Sequence, residues 1–420
     1  MGFFGRKRAP SVPHPRKEPR FDGPLTLERL EQIFQDCVDF TKRPVSLGEG
    51  GACTLTLCYL SGMVKMERVS DYVLRPLAQD EALARCGTPR QAMDRMKDGA
   101  LYNLSAEERT RLDAAVFDLV NGCCLLLFPW ESSVLSLNVG TEEKRSISSP
   151  SNETVLKGSR DAFVESLRTN TSIVRRHLKA PELRIREQVV GRQSVTSVDI
   201  LYIEGLTNPH LVEQVAAQLA DIDIDAVLAT GNIEEYIVPA ARTAFPLVQY
   251  TERSDRFCAG LAEGRVGILI DGLPLGYLAP GVLGDFLQAP QDKSESWLLA
   301  SALTLLRYLC MLGTLLLPAL YVAMVTFHQE MIPTRLALSI IAAKQDVPFR
   351  SVFEVIVLLL AFEILQEAGL RLPQSIGQTV SIIGGLVVGS AAVEAKIISP
   401  AVLIVVAIAG IAGYTMPSQE

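Results

Sequence analysis

The stretch YLCMLGTLLLPALYVAMVTF, Tyr308 to Phe327, runs 20 residues without a charge, and it divides the chain. A helix rising 1.5 Å per residue covers about 30 Å in that length, the thickness of bilayer hydrocarbon. From Trp297 to Glu420 there are six Lys/Arg and seven Asp/Glu in 124 positions, against 34 and 40 in the 296 positions before them. Charge density falls abruptly at Trp297, so a soluble region followed by an α-helical transmembrane domain over residues 297–420 is expected. Four hydrophobic segments are read in it: Tyr308 to Phe327, Ser351 to Gly369, Ile376 to Ala395 and Ala401 to Gly413. A shorter one, Leu336 to Lys344, is expected at the membrane surface or re-entering it.

Polar residues inside such segments are costly. Ser351 to Gly369 is apolar except for Glu354, Glu363, Gln366 and Glu367. A carboxylate at the bilayer centre costs about 2.5–3.5 kcal/mol on insertion scales. Glu363 and Glu367 are four residues apart and share a helical face, which must meet water or a partner to lower that cost. Glu354, Glu363 and Glu367 are therefore candidate pore or intramembrane polar residues, with Arg307 the basic residue available to pair with Glu363. Gly385 and Gly389, in a Gly-x-x-x-Gly spacing, put small residues on one helical face, where close packing or an oligomer contact is expected.

The soluble region contains a repeat. Leu57 to Gly62 (LCYLSG) resembles Ile200 to Gly205 (ILYIEG), each a strand-like run that ends at glycine and leads into a helical pattern. Leu119-Val120-Asn121-Gly122 leads into Cys123 to Phe128 as Leu261-Ala262-Glu263-Gly264 leads into Val266 to Ile270, and the paired glycines stand 60 and 59 residues apart. Two related α/β subdomains, 25–140 and 186–290, are expected. Between them 141–185 is read as a linker whose amphipathic helix carries Phe163, Leu167, Thr171, Val174 and Leu178 on one face and Arg160, Arg168, Arg175 and Arg176 elsewhere. Residues 1–24, with six Lys/Arg and five prolines and no apolar core, read as a disordered basic arm without an export signal, which keeps the soluble region cytoplasmic.

The net charge of -7 gives no basic footprint for nucleic acid. Gly48-Glu49-Gly50-Gly51 precedes its strand, the wrong order for a phosphate loop. Asp221, Asp223 and Asp225 read as a solvated face lacking a fourth metal ligand, and the scattered histidines and cysteines suggest neither a catalytic arrangement nor zinc. No enzyme activity, cofactor or metal is expected.

Tyr250-Thr251-Glu252-Arg253, Phe327-His328-Gln329-Glu330-Met331-Ile332-Pro333, Phe362 to Gly369 (FEILQEAG) and Ala391-Ala392-Val393-Glu394-Ala395, in that order, resemble the A subunit of GerA-type nutrient germinant receptors of bacterial endospores. Glu143 to Ser146, Leu167 to Thr171 and Arg175-Arg176 extend the resemblance over about residues 55–418. The family includes a paralogous stage V sporulation membrane protein. The resemblance implies a multi-pass protein of the spore inner membrane with its N-terminal domain on the cytoplasmic side, in the spore core. It also implies partners: a transporter-like B subunit that senses nutrients, a lipoprotein C subunit, further copies of the chain as a homo-oligomer, and the lipid bilayer. Such oligomers are thought to release monovalent cations as a channel, and carboxylate rings are one way to favour cations in a pore.

Departures are visible: Ser159 and Ser254 where the family usually has Pro, Ser390 for Gln, Lys396 for a small residue, and Leu359 where a further Glu is expected. Relatives continue beyond Met416-Pro417-Ser418 with another hydrophobic segment and a tail, so a truncated gene product, a partial chain or a shortened relative is expected. Two other classes compete: a solute transporter subunit, for which no inverted repeat is visible, and a non-conducting scaffold of the sporulation-paralogue type.

Overall fold

The computed structural model describes residues 20–417 apart from 48–53, 85, 87, 102–105, 130, 141–158, 160, 228–234, 238–245, 290, 293–294 and 372–388. Most of the basic arm, much of the 141–185 segment, the Gly48 to Gly51 loop and Gly385 lie outside the described residues.

Thr54–Leu60 and Cys123–Leu127 are nearly continuous apolar runs because both of their faces are covered. They are β2 and β4 of an antiparallel sheet ordered β1-β2-β4-β5-β3, with β1 at Phe40–Ser46, β3 at Ala106–Arg109 and β5 at Val134–Asn138. The two-residue period sends Leu55, Leu57 and Tyr59 to one face, where they meet short helical segments between residues 66 and 100. Cys58 and Leu60 go to the other, against the helices α1 (Leu27–Ile33) and α2 (Leu112–Val120).

The second sheet repeats that order as β6-β7-β9-β10-β8: Leu183–Val190, Thr196–Ile203, Val266–Ile270, Gly276–Ala279 and Gln249–Thr251. The strand of Tyr59 and the strand of Tyr202 both lie second in their sheets. In each hairpin the first residue of one strand faces the last of the next, Phe40 opposite Leu60 and Leu183 opposite Ile203. The glycines explain why the repeat is visible in sequence. Gly122 and Gly264 have φ of +87° and +90°, and a Cβ on them would lie 2.7 Å from the Met63 carbonyl oxygen and 3.1 Å from that of Leu206. Met63 and Leu206 follow Gly62 and Gly205, themselves at φ +83° and +77°, so each copy closes the same turn-to-turn contact with residues that cannot carry a side chain.

One face of the second sheet packs on helix α4 (Pro209–Ala220) through Val212, Val215 and Leu219. The other packs on α3 (Leu167–His177) and α5 (Ser254–Ala262) through Leu167, Val174, Phe257 and Leu261. The helix expected to bridge the subdomains is thus shorter than the Arg160 to Leu178 pattern and belongs to the second sheet. Arg175, expected among its outward charges, is wholly buried: its Nε and Nη2 donate to Asp39 at 2.8 and 3.0 Å. Asp39 belongs to the first subdomain, whose Val38 N–H also donates to the Ile185 carbonyl of β6 at 3.0 Å.

Residues Met1–Gly281 make one compact unit and Val282–Glu420 another. Residues 282–296 therefore go with the helical unit. The first helix of that unit, α6 (Trp297–Phe327), is 31 residues long and mostly exposed along an apolar surface; it is the one described helix long and apolar enough to cross a membrane. Helices α7 (Thr334–Lys344), α8 (Ser351–Arg371) and α9 (Pro400–Gly413) follow. Of the expected segments, Tyr308 to Phe327 falls in that helix, while Ser351 to Gly369 and Ala401 to Gly413 do not meet the same test of length and composition. Helix α8 carries three carboxylates, and the 14 residues of α9 span only about 21 Å. Most of 376–395 is outside the described residues. Tyr321, Val355, Leu358, Ile398, Val402 and Val406 form the core of this unit.

Candidate functional site

The polar residues singled out in the C-terminal unit separate into distinct places. Arg307 does not meet Glu363. Its guanidinium pairs with Asp292, with Nη2 to Oδ1 at 3.0 Å, and Nη1 donates to the Leu287 carbonyl at 3.2 Å, tying the start of α6 to the segment before it. Glu363 and Glu367 are exposed on α8, and Glu363 has no hydrogen-bond or ion-pair partner among the described residues. Glu354 is nine residues before Glu363, about two and a half helical turns, and so points to the opposite side. There it is buried. Its Oε2 accepts the Ser399 N–H at 2.8 Å, and its Oε1 faces Lys344 Nζ at 3.5 Å. Ser399 is the N-cap of α9 and makes no cap hydrogen bond with its own side chain, while a carboxylate from another helix accepts its backbone N–H. A negative group there is favoured by the helix dipole.

Gly389 is buried against the same chain: a Cβ on it would lie 3.4 Å from Leu403 Cδ1 of α9. That is ordinary van der Waals contact, so the fold of one chain does not by itself require glycine there, and Gly385 lies outside the described residues. Sequence reading missed Lys344, Tyr321 and Ser399. Ser399 before Pro400 carried a readable signal, the N-cap position before a proline at N1.

In the N-terminal unit the fold assembles two polar groups that spacing did not reveal. Ser254 Oγ and Asp161 Oδ2 lie 3.2 and 3.6 Å from the same ring nitrogen of His177, Nε2. A catalytic triad needs the carboxylate on the other ring nitrogen, so this group does not activate Ser254. Ser254 instead donates to the Asp161 carbonyl at 3.2 Å at the start of α5.

The second group surrounds Asp199 of β7, which is fully buried with Oδ2 3.4 Å from Arg168 Nη1. Burial pushes its carboxyl up to about 7, against the pull of Arg168 and with like charge from Glu187, Asp39 and Asp271. The folded state therefore holds a proton that the unfolded chain releases near pH 4. This contribution is fully present below about pH 4 and is lost as pH rises to 7, with a slope of at most about 1.4 kcal/mol per unit. Asp199→Asn should remove that decline. The thermal midpoint of the variant, relative to the wild-type chain, is expected to rise between pH 5 and pH 8; an unchanged difference would show that Asp199 does not titrate in this interval.

Two repeated antiparallel α/β subdomains make up one unit, and the other holds an apolar helix of membrane-crossing length beside a helix with a buried carboxylate, Glu354. The model of the Bacillus/Clostridium GerA spore germination protein family matches residues 28–420. The uncharacterized membrane protein YfkQ of Bacillus subtilis (strain 168) is 37% identical over 391 residues, 93% of this chain and 75% of that protein. Spore germination protein KA of the same strain is 37% identical over 380 residues, 90% of this chain and 69% of that one. Spore germination protein GerLA of Bacillus cereus is 35% identical over 379 residues, 90% and 76% of the two chains. The crystal structure of the N-terminal domain of the A subunit of the Bacillus megaterium spore germinant receptor GerK3 is 27% identical, covers 61% of this chain and 94% of that one, and has a TM-score of 0.49. The chain belongs to the GerA spore germination protein family.

Proposed function

We propose that the chain is the membrane A subunit of a nutrient germinant receptor in bacterial spores, coupling nutrient sensing to cation release as an oligomeric channel. It acts without catalysis or cofactor, with a transporter-like B subunit and a lipoprotein C subunit, as a multi-pass protein of the spore inner membrane. Family membership over nearly the whole chain supports the germination role. The observation that supports conduction is Glu363, a carboxylate exposed on α8 among Phe353, Ile356, Leu360 and Ile364, which are also exposed. Lipid around that carboxylate is disfavoured, whereas a water-filled path or a second copy accommodates it. With Arg307 engaged by Asp292, no base among the described residues pairs with it.

The test is cation flux in liposomes carrying the full chain with its B and C partners. Glu363→Gln should preserve folding and oligomer mass while lowering potassium or sodium flux severalfold. Normal flux and cation selectivity in a well-folded variant eliminates the pore role. Saturable flux of an organic solute would instead favour the transporter reading, and absence of any flux the scaffold reading.

A further inference from the structure

Among the described residues of the C-terminal unit, three buried side-chain oxygens have no hydrogen-bond partner: Tyr321 Oη, Glu354 Oε1 and Ser399 Oγ. They come from three elements, α6, α8 and the N-cap of α9, yet they lie together. Ser399 N–H reaches Glu354 Oε2 at 2.8 Å, and the Tyr321 phenol is near enough to the Ser399 hydroxyl and the Glu354 carboxylate to interact with both, without hydrogen-bond geometry to either. All three residues are more than nine-tenths buried. Leaving a buried polar group unsatisfied is costly, and three side by side in an apolar unit call for a shared occupant.

The donor set specifies its chemistry. Glu354 Oε2 is already used by the helix terminus, so Oε1 remains as an anionic acceptor. The two hydroxyls can turn their hydrogens away and offer lone pairs. One carboxylate oxygen and two hydroxyl oxygens, without sulfur or imidazole, form a hard site that suits alkali ions better than transition metals. A single carboxylate balances a single charge. In the structure that balance comes from Lys344, at the end of α7, whose ammonium also donates to Ser351 Oγ. Its side chain is 26% exposed, so it can withdraw to solvent where the other three groups cannot.

We propose that Tyr321, Glu354 and Ser399 form a binding site for a monovalent alkali cation, with the Lys344 ammonium as its intramolecular competitor. The site goes beyond the channel reading, because binding at equilibrium requires no conduction and is read without flux. A water molecule would satisfy the same oxygens but would not replace the charge of Lys344.

The experiment uses the full chain in detergent, titrated with sodium or potassium chloride at ionic strength held constant by N-methyl-D-glucamine chloride, with the thermal midpoint as readout. Lys344→Gln should give a saturable rise specific to sodium or potassium, with half-saturation roughly tenfold lower than in the wild-type chain. Adding Tyr321→Phe or Ser399→Ala to Lys344→Gln should raise the half-saturating concentration roughly tenfold, and adding Glu354→Gln should abolish the response. The phenylalanine and alanine variants remove unpartnered hydroxyls and are expected to fold. If Lys344→Gln folds only with salt, recovery in sodium or potassium but not in N-methyl-D-glucamine is the same positive result. Equal behaviour in all three salts, or half-saturation unmoved by Tyr321→Phe and Ser399→Ala, overturns the proposal and leaves water as the occupant.

Discussion

Replacing Arg175 by alanine is expected to destabilise the N-terminal unit by about 3–5 kcal/mol, because it strands a buried carboxylate. The side chains of Arg175 and Asp39 are 1% and 3% exposed, and the guanidinium grips the carboxylate with two nitrogens. Its remaining contacts, the Ala180 carbonyl at 3.3 Å and Cys37 Sγ at 3.5 Å, would also be lost. Asp39 would then face the buried Asp199 without a cation of its own, since like charge already links those two carboxylates. The joint replacement Arg175→Met with Asp39→Leu should cost far less than either single change, since no charge is left unpaired. Thermal midpoints of the four chains, wild type, two singles and the double, decide it. Additive losses would mean that the pair contributes nothing beyond the packing of its parts.

The same residue marks a limit of reading the sequence. On helical period alone Arg175 falls among outward charges, and the residue that buries it is 136 positions away in the other subdomain. Nothing local announces such a partner. The duplication was legible for the opposite reason, because the constraint it leaves is local: a backbone at positive φ favours glycine, and both copies keep it at Gly62 and Gly205 and at Gly122 and Gly264, the second pair also having a carbonyl against Cα. The charge step at Trp297 was legible too, and it coincides with the start of α6. The polar site was only half legible. Nine residues between Glu354 and Glu363 already put them on opposite faces. Which face is buried depended on Ser399, 45 residues on, and Tyr321 looked like any aromatic residue in a 20-residue apolar run.

Truncating Phe257 to alanine is the other change expected to be severe, about 3–5 kcal/mol for an aromatic side chain fully enclosed in a core. Phe257 of α5 stands edge-on to Phe163, ring centroids 5.3 Å apart, and fills the space left by two glycines of the sheet beneath it. A Cβ on Gly267 of β9 would lie 2.4 Å from Phe257 Cζ, and one on Gly276 of β10 would lie 2.6 Å from Phe257 Cδ2 and 2.7 Å from Phe163 Cε2. These glycines serve the ring, since neither has the left-handed backbone of the turn glycines. Gly267→Ala alone should therefore be destabilising by overpacking, about 1–3 kcal/mol. In the Phe257→Ala background the clash with the ring has gone, only the flexible end of Leu261, with Cδ2 at 3.0 Å, must give slightly, and the added methyl enters the cavity, so Gly267→Ala should become neutral or mildly stabilising there. The double-mutant cycle from thermal or urea unfolding reads this reversal as a coupling between the two sites. A Gly267→Ala cost that is the same in both backgrounds would show that the strand, and not the ring above it, is what requires glycine at that position.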